Sequence, residues 1–574
     1  MRTTGFYCDY ELKDTTAIAD STLTTSSNST FADISKAKDN ITMPNYMTLE
    51  QGFSQLDGTL PEMPDTPTDI VYFSNIMSDA SGNFSVNPSF TIPFTENHSS
   101  YGITFYFIGD YPLEMIVTWY NLGNVKISQK TYTITDNKYF AQNQVENYGK
   151  VTVEFTKANP YRFIKFRFIE YGTNLIFGKG GLPVKGASLV EEVDPTSDKI
   201  PINKLSYKLI DENNEFNVGN QAGLHKVMQQ GQISHAYEVV NGVAQLLGKF
   251  YLTENSTESN ITSISCTDYK GLLDNNRFIA GAVYNGTLAG TVIDSIMSAA
   301  GITEYTVDDE TRNTPLYGWL KIQTCRKALR EVLFGCGSLI DTSRSETLNI
   351  YKPTRVIQTT VKRTRKFSTT ATEEDYISDV TVKYPVYTLA TATSQITKGT
   401  YTAGTYTIEL SSPASGMTIN TGTITAQTNN YVTFTVSSTA EVIIAGHKYS
   451  KEDLSVTASI ENIAAGQTRA NKDFTCTVIN GAQAVTLAEN LLEYYKLRLG
   501  LKIKFLNEGD KPANWSEIYN TIKSYGNYVA GFEKVTTDLT GGFISTAELR
   551  GYYKLLSDFY YMNEIYSGED VGII

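Results

Sequence analysis

Only four histidines occur in the chain: His98, His225, His235 and His447. No two stand at the HxH or HxxxH spacing that brings two imidazoles onto one metal ion, so surface or satisfied polar positions are expected. The five cysteines, Cys8, Cys266, Cys325, Cys336 and Cys476, are widely spaced, with no CxxC pair and no zinc spacing. The sequence contains no GxSxG, P-loop or GxGxxG motif. Gly178-Lys179-Gly180-Gly181 is glycine-rich, but Leu182-Pro183 follows where a phosphate cradle needs a Lys-Ser/Thr pair and a helix. Glu191-Glu192 and Glu373-Glu374 fall in expected linkers, and Asp308-Asp309-Glu310 in a loop. A glycosidase needs two carboxylates converging across a cleft, which adjacent pairs do not supply. The basic run Lys362-Arg363-Thr364-Arg365-Lys366 suits a solvated edge or a joint between domains; the functional alternative is a salt-sensitive protein or DNA contact. Tyr72, Trp119, Tyr120 and Tyr161 lie in a strand-rich block. Aromatic rings can stack on sugar faces, although an aromatic in a strand is more often core. The residue types therefore point to no enzyme, no catalytic residue, no cofactor and no metal, and leave Tyr72, Trp119 and Tyr161 as the glycan contacts to test.

The elements that hold these residues are mostly strands. With 38 Tyr, 26 Phe and only 19% charged residues among 574, the chain is expected to be mainly β with α+β parts, in three to five domains. A net charge of −13 argues against a broad nucleic-acid-gripping surface. Unpaired, apolar-flanked cysteines suit a reducing cytoplasm. The first residues lack an apolar signal-peptide core, and no run of about 18 apolar residues spans a membrane.

Residues 1–70 show no sustained period and are expected as an extended N-terminal arm. Residues 71–188 read as a β-sandwich: in Arg162 to Ile169, Ile164, Phe166 and Phe168 alternate with Lys165 and Arg167. Residues 189–202 form a proline-bounded linker. In the following region a helix is expected over about Leu288 to Ala300, capped by Thr287 or Thr291, with Asp294 completing a capping box and Gly301 ending it. A second helix carries Cys325, Ala328, Leu329, Val332, Leu333 and Cys336 on one stripe, capped by Thr324 and stopped by Gly337. Residues 387–449, rich in Thr, Ser and Ala, suggest a small inserted all-β sandwich. Ala484 to Leu499 gives a third apolar stripe, and 561–574 a loose tail.

Three passages resemble, in order, the hub proteins of phage tail tips and contractile baseplates. They are the linker Glu191-Glu192-Val193-Asp194-Pro195 to Ile202; the segment Thr324-Cys325-Arg326-Lys327-Ala328-Leu329 with Asp341-Thr342-Ser343-Arg344; and Ala488 to Tyr495 leading to Asp538-Leu539-Thr540-Gly541-Gly542. Residues 71–188, through Asn159-Pro160-Tyr161-Arg162, resemble a galactose-binding-like jelly roll found in tail-tip proteins of phages of Gram-positive bacteria. The resemblance implies two hub-type β-barrel tube domains, at 189–370 and at 371–386 with 450–560. It implies a homotrimer whose six barrels form a pseudo-sixfold ring lined by acidic residues that let DNA slide past. It further implies tail tube or distal tail protein, tape-measure protein and other tail-tip proteins as partners, assembly in the host bacterial cytoplasm, a place at the virion tail tip, and no wall hydrolysis. The alternative function is a carbohydrate-binding adhesin that meets a host surface glycan through the sandwich.

Overall fold

The structure, a computed structural model, describes residues 2–554 apart from 56, 462, 464, 465, 467 and 522–525; the tail expected at 561–574 lies outside them. The protein is mainly β and multidomain. A 13-stranded sheet organises it. Numbered along the chain, its strands are β1 (Thr4–Lys13), β2 (Gly172–Gly178), β3 (Val184–Glu192), β4 (Lys204–Ile210), β5 (Ile233–Val240), β6 (Val243–Glu258) and β7 (Ile261–Thr267), followed by β8 (Ile357–Val361), β9 (Lys366–Glu373), β10 (Leu499–Leu506), β11 (Trp515–Ile518), β12 (Tyr528–Asp538) and β13 (Ile544–Tyr553). The order is β9-β10-β13-β12-β3-β4-β7-β6-β5-β1-β2, with β11 bridging β12 and β8.

The sheet rolls up twice. In the first half, Leu205, Tyr207 and Leu209 of β4 point inward while Lys204, Ser206 and Lys208 point to solvent, a period of two. Phe177 of β2 lies 5.9 Å from Tyr207, although several strands separate them along the ladder. In the second half, Phe505 of β10 meets Phe532 of β12 at 5.8 Å, over a core that includes Val361, Ile503, Ile518 and Leu549.

Neither roll closes into the barrel that the resemblance implied: among the described residues no ladder joins β2 to β3, or β8 to β9. For the first roll the reason is pairing. Strand β3 gives one edge to β4 and residues 188–192 of the other to β12, which leaves only its first residues unpaired on that side. The two rolls are thus fused through the β3–β12 seam.

The rolls repeat one another. In the first, β3 pairs β4, β4 pairs β7, β7 pairs β6 and β6 pairs β5; in the second, β9, β10, β13, β12 and β11 pair in the same succession. Bulges recur at matching places. Thr253 is the extra residue of β6 and Glu533 of β12; Lys185 is the extra residue of β3 and Phe367 of β9. The Thr257–Thr262 hydroxyl pair at 3.3 Å in the first roll is matched by Thr537–Ser545 at 2.7 Å in the second.

Residues 1–70 depart from the expected arm. Strand β1 lies inside the sheet between β5 and β2, burying Phe6, Cys8, Tyr10 and Leu12 on the period-two alternation of Gly5 to Leu12. Ala17, Leu23, Ile34, Ala37 and Met43 then pack into the core of the sandwich. The sandwich is therefore inserted between two neighbouring strands of the first roll. Its long strands Ser89–Phe107 and Lys138–Lys157 break register between Pro93 and Gly102, which lets the pair bend. Phe166 faces Phe90 at 5.2 Å and Phe155 at 6.5 Å across the resulting layers.

The helices α1 (Ala289–Ala300), α2 (Cys325–Cys336) and α3 (Gly481–Tyr495) share one core instead of dividing between two barrel domains. Thr324 caps α2, and Gly301 and Gly337 end α1 and α2 with φ of 71° and 65°, left-handed values that glycine adopts without steric cost. The expected capping box of α1 is absent. Leu288 is its N-cap, and Asp294 binds Tyr305 and Arg312 instead. The long hairpin Asp379–Tyr401 with Ala440–Ser459 starts in this layer through Val380, Val382 and Tyr384. It ends in a separate small β core around Val432, Phe434, Val442 and Ile444.

Candidate lumen face and seam

Because inward residues of the rolls alternate with outward ones, the outer face of the sheet is written by the polar half of each strand. Around the seam this face forms a groove of about 810 Å³ floored by Ser188, Ser206, Ser263, Ser265, Thr536 and Thr546. Ser188, Ser206 and Ser265 are direct cross-strand neighbours on β3, β4 and β7, so they form a row of hydroxyls. Lysines dot the same face: Lys185, Lys208 and Lys504 line the groove, and Lys204 and Lys502 are exposed beside it. Asp538 and Glu548 supply the opposite charge, with Glu548 3.4 Å from Lys502. The face is of mixed charge.

Behind the seam lies a buried charged network. Glu191 of β3 is fully buried, and neither carboxyl oxygen makes a well-shaped hydrogen bond, although Ser343 approaches it. Burial pushes its carboxyl up to about 7, against the pull of Arg344; Asp341 adds to the rise and Lys511 opposes it. Arg344 pairs with Glu238 of β5 at 3.0 Å, and Lys511 with Asp341 at 2.9 Å. Asn203 donates to Thr342 at 3.1 Å and Ser343 at 3.2 Å. The Asp341-Thr342-Ser343-Arg344 passage thus joins the helical layer to both rolls at their seam. Nearby, Lys534 of β12 reaches Glu192 of β3 at 3.2 Å.

The structure does not gather the three aromatic residues into a glycan site. Tyr72 is fully buried and stacks on Phe166 at 4.6 Å; Trp119 is fully buried in the same core. Both fill the sandwich, so no sugar reaches them. Tyr161 is half-buried in a turn at φ 58°, beside Arg162, which holds Asp110 at 2.9 Å.

The remaining chemical candidates have structural work. All five cysteines are free and buried. Among the described residues no cluster of three or more His, Cys, Asp or Glu is placed to hold a metal ion. His98 links Asp14, just past β1, at 3.1 Å to Asp20 at 2.9 Å. Arg365 and Lys366 of the basic run pin the turn between β8 and β9, through Asp510 and the carbonyl oxygens of Leu506 and Tyr519. Asp308 caps a short helix and accepts from the Lys352 amide at 2.7 Å. Glu373 pairs with Arg498, and Glu374 lies 3.9 Å from Arg550. The two Glu-Glu pairs occupy matching positions in the two rolls. No single motif in the sequence marks the hydroxyl row, because its serines lie on three strands.

No protein-family model matches the sequence, and no curated protein does. The structure is similar to several solved ones. The 43 kDa tail protein of prophage MuSo2 from Shewanella oneidensis is 8% identical, with a TM-score of 0.37, covering 64% of this chain and 94% of its own. The tail protein from Neisseria meningitidis MC58 is 12% identical, with a TM-score of 0.38, covering 64% and 91%. The prophage tail protein gp18 from Listeria monocytogenes EGD-e is 7% identical, with a TM-score of 0.33, covering 64% and 95%. Several of the structure neighbours are phage tail and baseplate proteins.

Proposed function

We propose that this chain is a structural virion protein, a tail-tip or baseplate hub that works by assembly and not by catalysis. The observation that carries this is the single sheet running through two repeated rolls, with one polar, hydroxyl-rich face across their seam. A wall that lets a polyanion pass needs no deep pocket and no fixed cation cluster. It needs small polar side chains and dispersed charge, which the Ser188–Ser206–Ser265 row and its scattered lysines and acids supply. In this reading three copies place six rolls around a lumen, this face lines it, and DNA passes through. The sandwich between β1 and β2 and the small β module at the end of the long hairpin project outward, where they meet other tail-tip proteins. The sequence resemblance in the linker, the α2 region and the Asp538 to Gly542 turn supports the same reading. The mass of the full chain in solution tests it. A species of about three times 63.6 kDa is expected, and a single-chain mass at micromolar concentration would overturn it.

A further inference from the structure

We propose that the outer edge of β9 in one copy pairs antiparallel with residues 253–258 of β6 in a second copy, so that the β3–β12 seam recurs between chains. This rests on the hub reading above and names the contact that would join its copies. The repeat of the two rolls carries it. Within one chain β3 of the first roll lies along residues 534–538 of β12 in the second, with Val190 opposite Thr536 and Ser188 opposite Asp538. The shared pairing order and the matching bulges make β9 the counterpart of β3, and β6 the counterpart of β12. Thr372 then corresponds to Val190 and Ser256 to Thr536; Thr370 corresponds to Ser188 and Glu258 to Asp538.

Both counterpart edges are open. Strand β9 pairs only with β10, and its residues from Thr370 to Glu373 are all exposed. Strand β6 pairs with β5 only as far as Tyr251; the Gln230 side chain donates to the Thr253 carbonyl at 3.3 Å, and the residues beyond it have β7 on one side and no strand on the other. Within the proposed contact, Thr370 to Glu373 and Thr253 to Glu258, neither edge carries a proline or a lysine, the usual defences of an exposed edge; Lys366 lies at the far start of β9. Glu373 pairs with Arg498, and Glu374, which this register sets opposite Glu254, lies 3.9 Å from Arg550. Because the two edges are different surfaces, the contact is head-to-tail, and its repetition builds a ring where the rotation closes, not a twofold dimer.

Paired cysteines test this in the full chain. Thr372→Cys with Ser256→Cys places two thiols at directly opposed positions across the proposed contact, within disulfide reach. Six strands separate β9 from β6 along the sheet of one chain, the native cysteines are buried, and a bond formed within one chain would leave the product at one chain mass. On oxidation the double variant is expected to run at two and three chain masses without reductant, and each single variant at one. Thr370→Cys with Glu258→Cys probes the same register independently. If the chain forms oligomers but neither pair cross-links, the edge pairing is wrong and the hub reading stands. A single-chain mass throughout would overturn both.

Discussion

Replacing Glu191 by glutamine removes a carboxyl that the fold buries completely at the junction of both rolls and the helical layer. Burial raises this carboxyl from its ordinary 4.5 to about 7. A group raised on folding contributes stability in full below its unfolded value and loses it as pH rises through the folded value. Each unit is worth about 1.4 kcal/mol, so the native protein loses about 3 kcal/mol of seam stability between about pH 4.5 and just above pH 7. Glutamine keeps the shape and does not titrate. The Glu191→Gln variant is therefore expected to match the native protein near pH 4 and to exceed it by about 3 kcal/mol near pH 8. A chain of several cores does not unfold in one step, so the assay is amide hydrogen exchange of peptides covering 186–193 and 533–539, compared at each pH. Lower protection of the variant at the higher pH would refute the reasoning, because it would mean that Glu191 is ionised and stabilised by Arg344.

Lys165→Met strands the fully buried Glu50 carboxylate, 2.5 Å from the ammonium in the native protein, at a cost of about 3–5 kcal/mol. Faster limited proteolysis between residues 44 and 60 is expected; an unchanged rate would mean that the ion pair does not hold this segment. Leu329→Ala opens the fully buried face of α2 and should cost about 2–5 kcal/mol, read as a fall in the melting temperature of the helical layer. Asn480→Ala breaks the capping box of α3 and should cost about 1 kcal/mol, read as faster exchange in its first turn; equal exchange would assign the helix start to packing alone.

Much of the fold is legible where a local period reports burial. The stripe Cys325 to Cys336 gave α2 with both caps, and the alternation in Arg162 to Ile169 gave a strand. Reading failed where partners are distant. Residues 4–13 alternate cleanly, but only their pairing with β5 and β2, far along the chain, gives that alternation a sheet to join. Tyr72 and Trp119 have the chemistry of a sugar platform, yet strand aromatics fill the nearest core, here against Phe166 and its neighbours. The Glu191-Glu192 pair read as linker charge; one member is buried because β12 closes over β3, a contact between residues more than three hundred positions apart. The seam, and the repeat that brackets it, are properties of pairing order, which local composition does not encode.

Electron-microscopy averages of the full chain show whether its copies form a ring with the polar sheet face turned inward. A threefold ring is expected, its pore lined by the Ser188, Ser206 and Ser265 row, with the sandwich and the small β module on the outside. A ring with that face turned outward, or single chains with no ring at all, would contradict it.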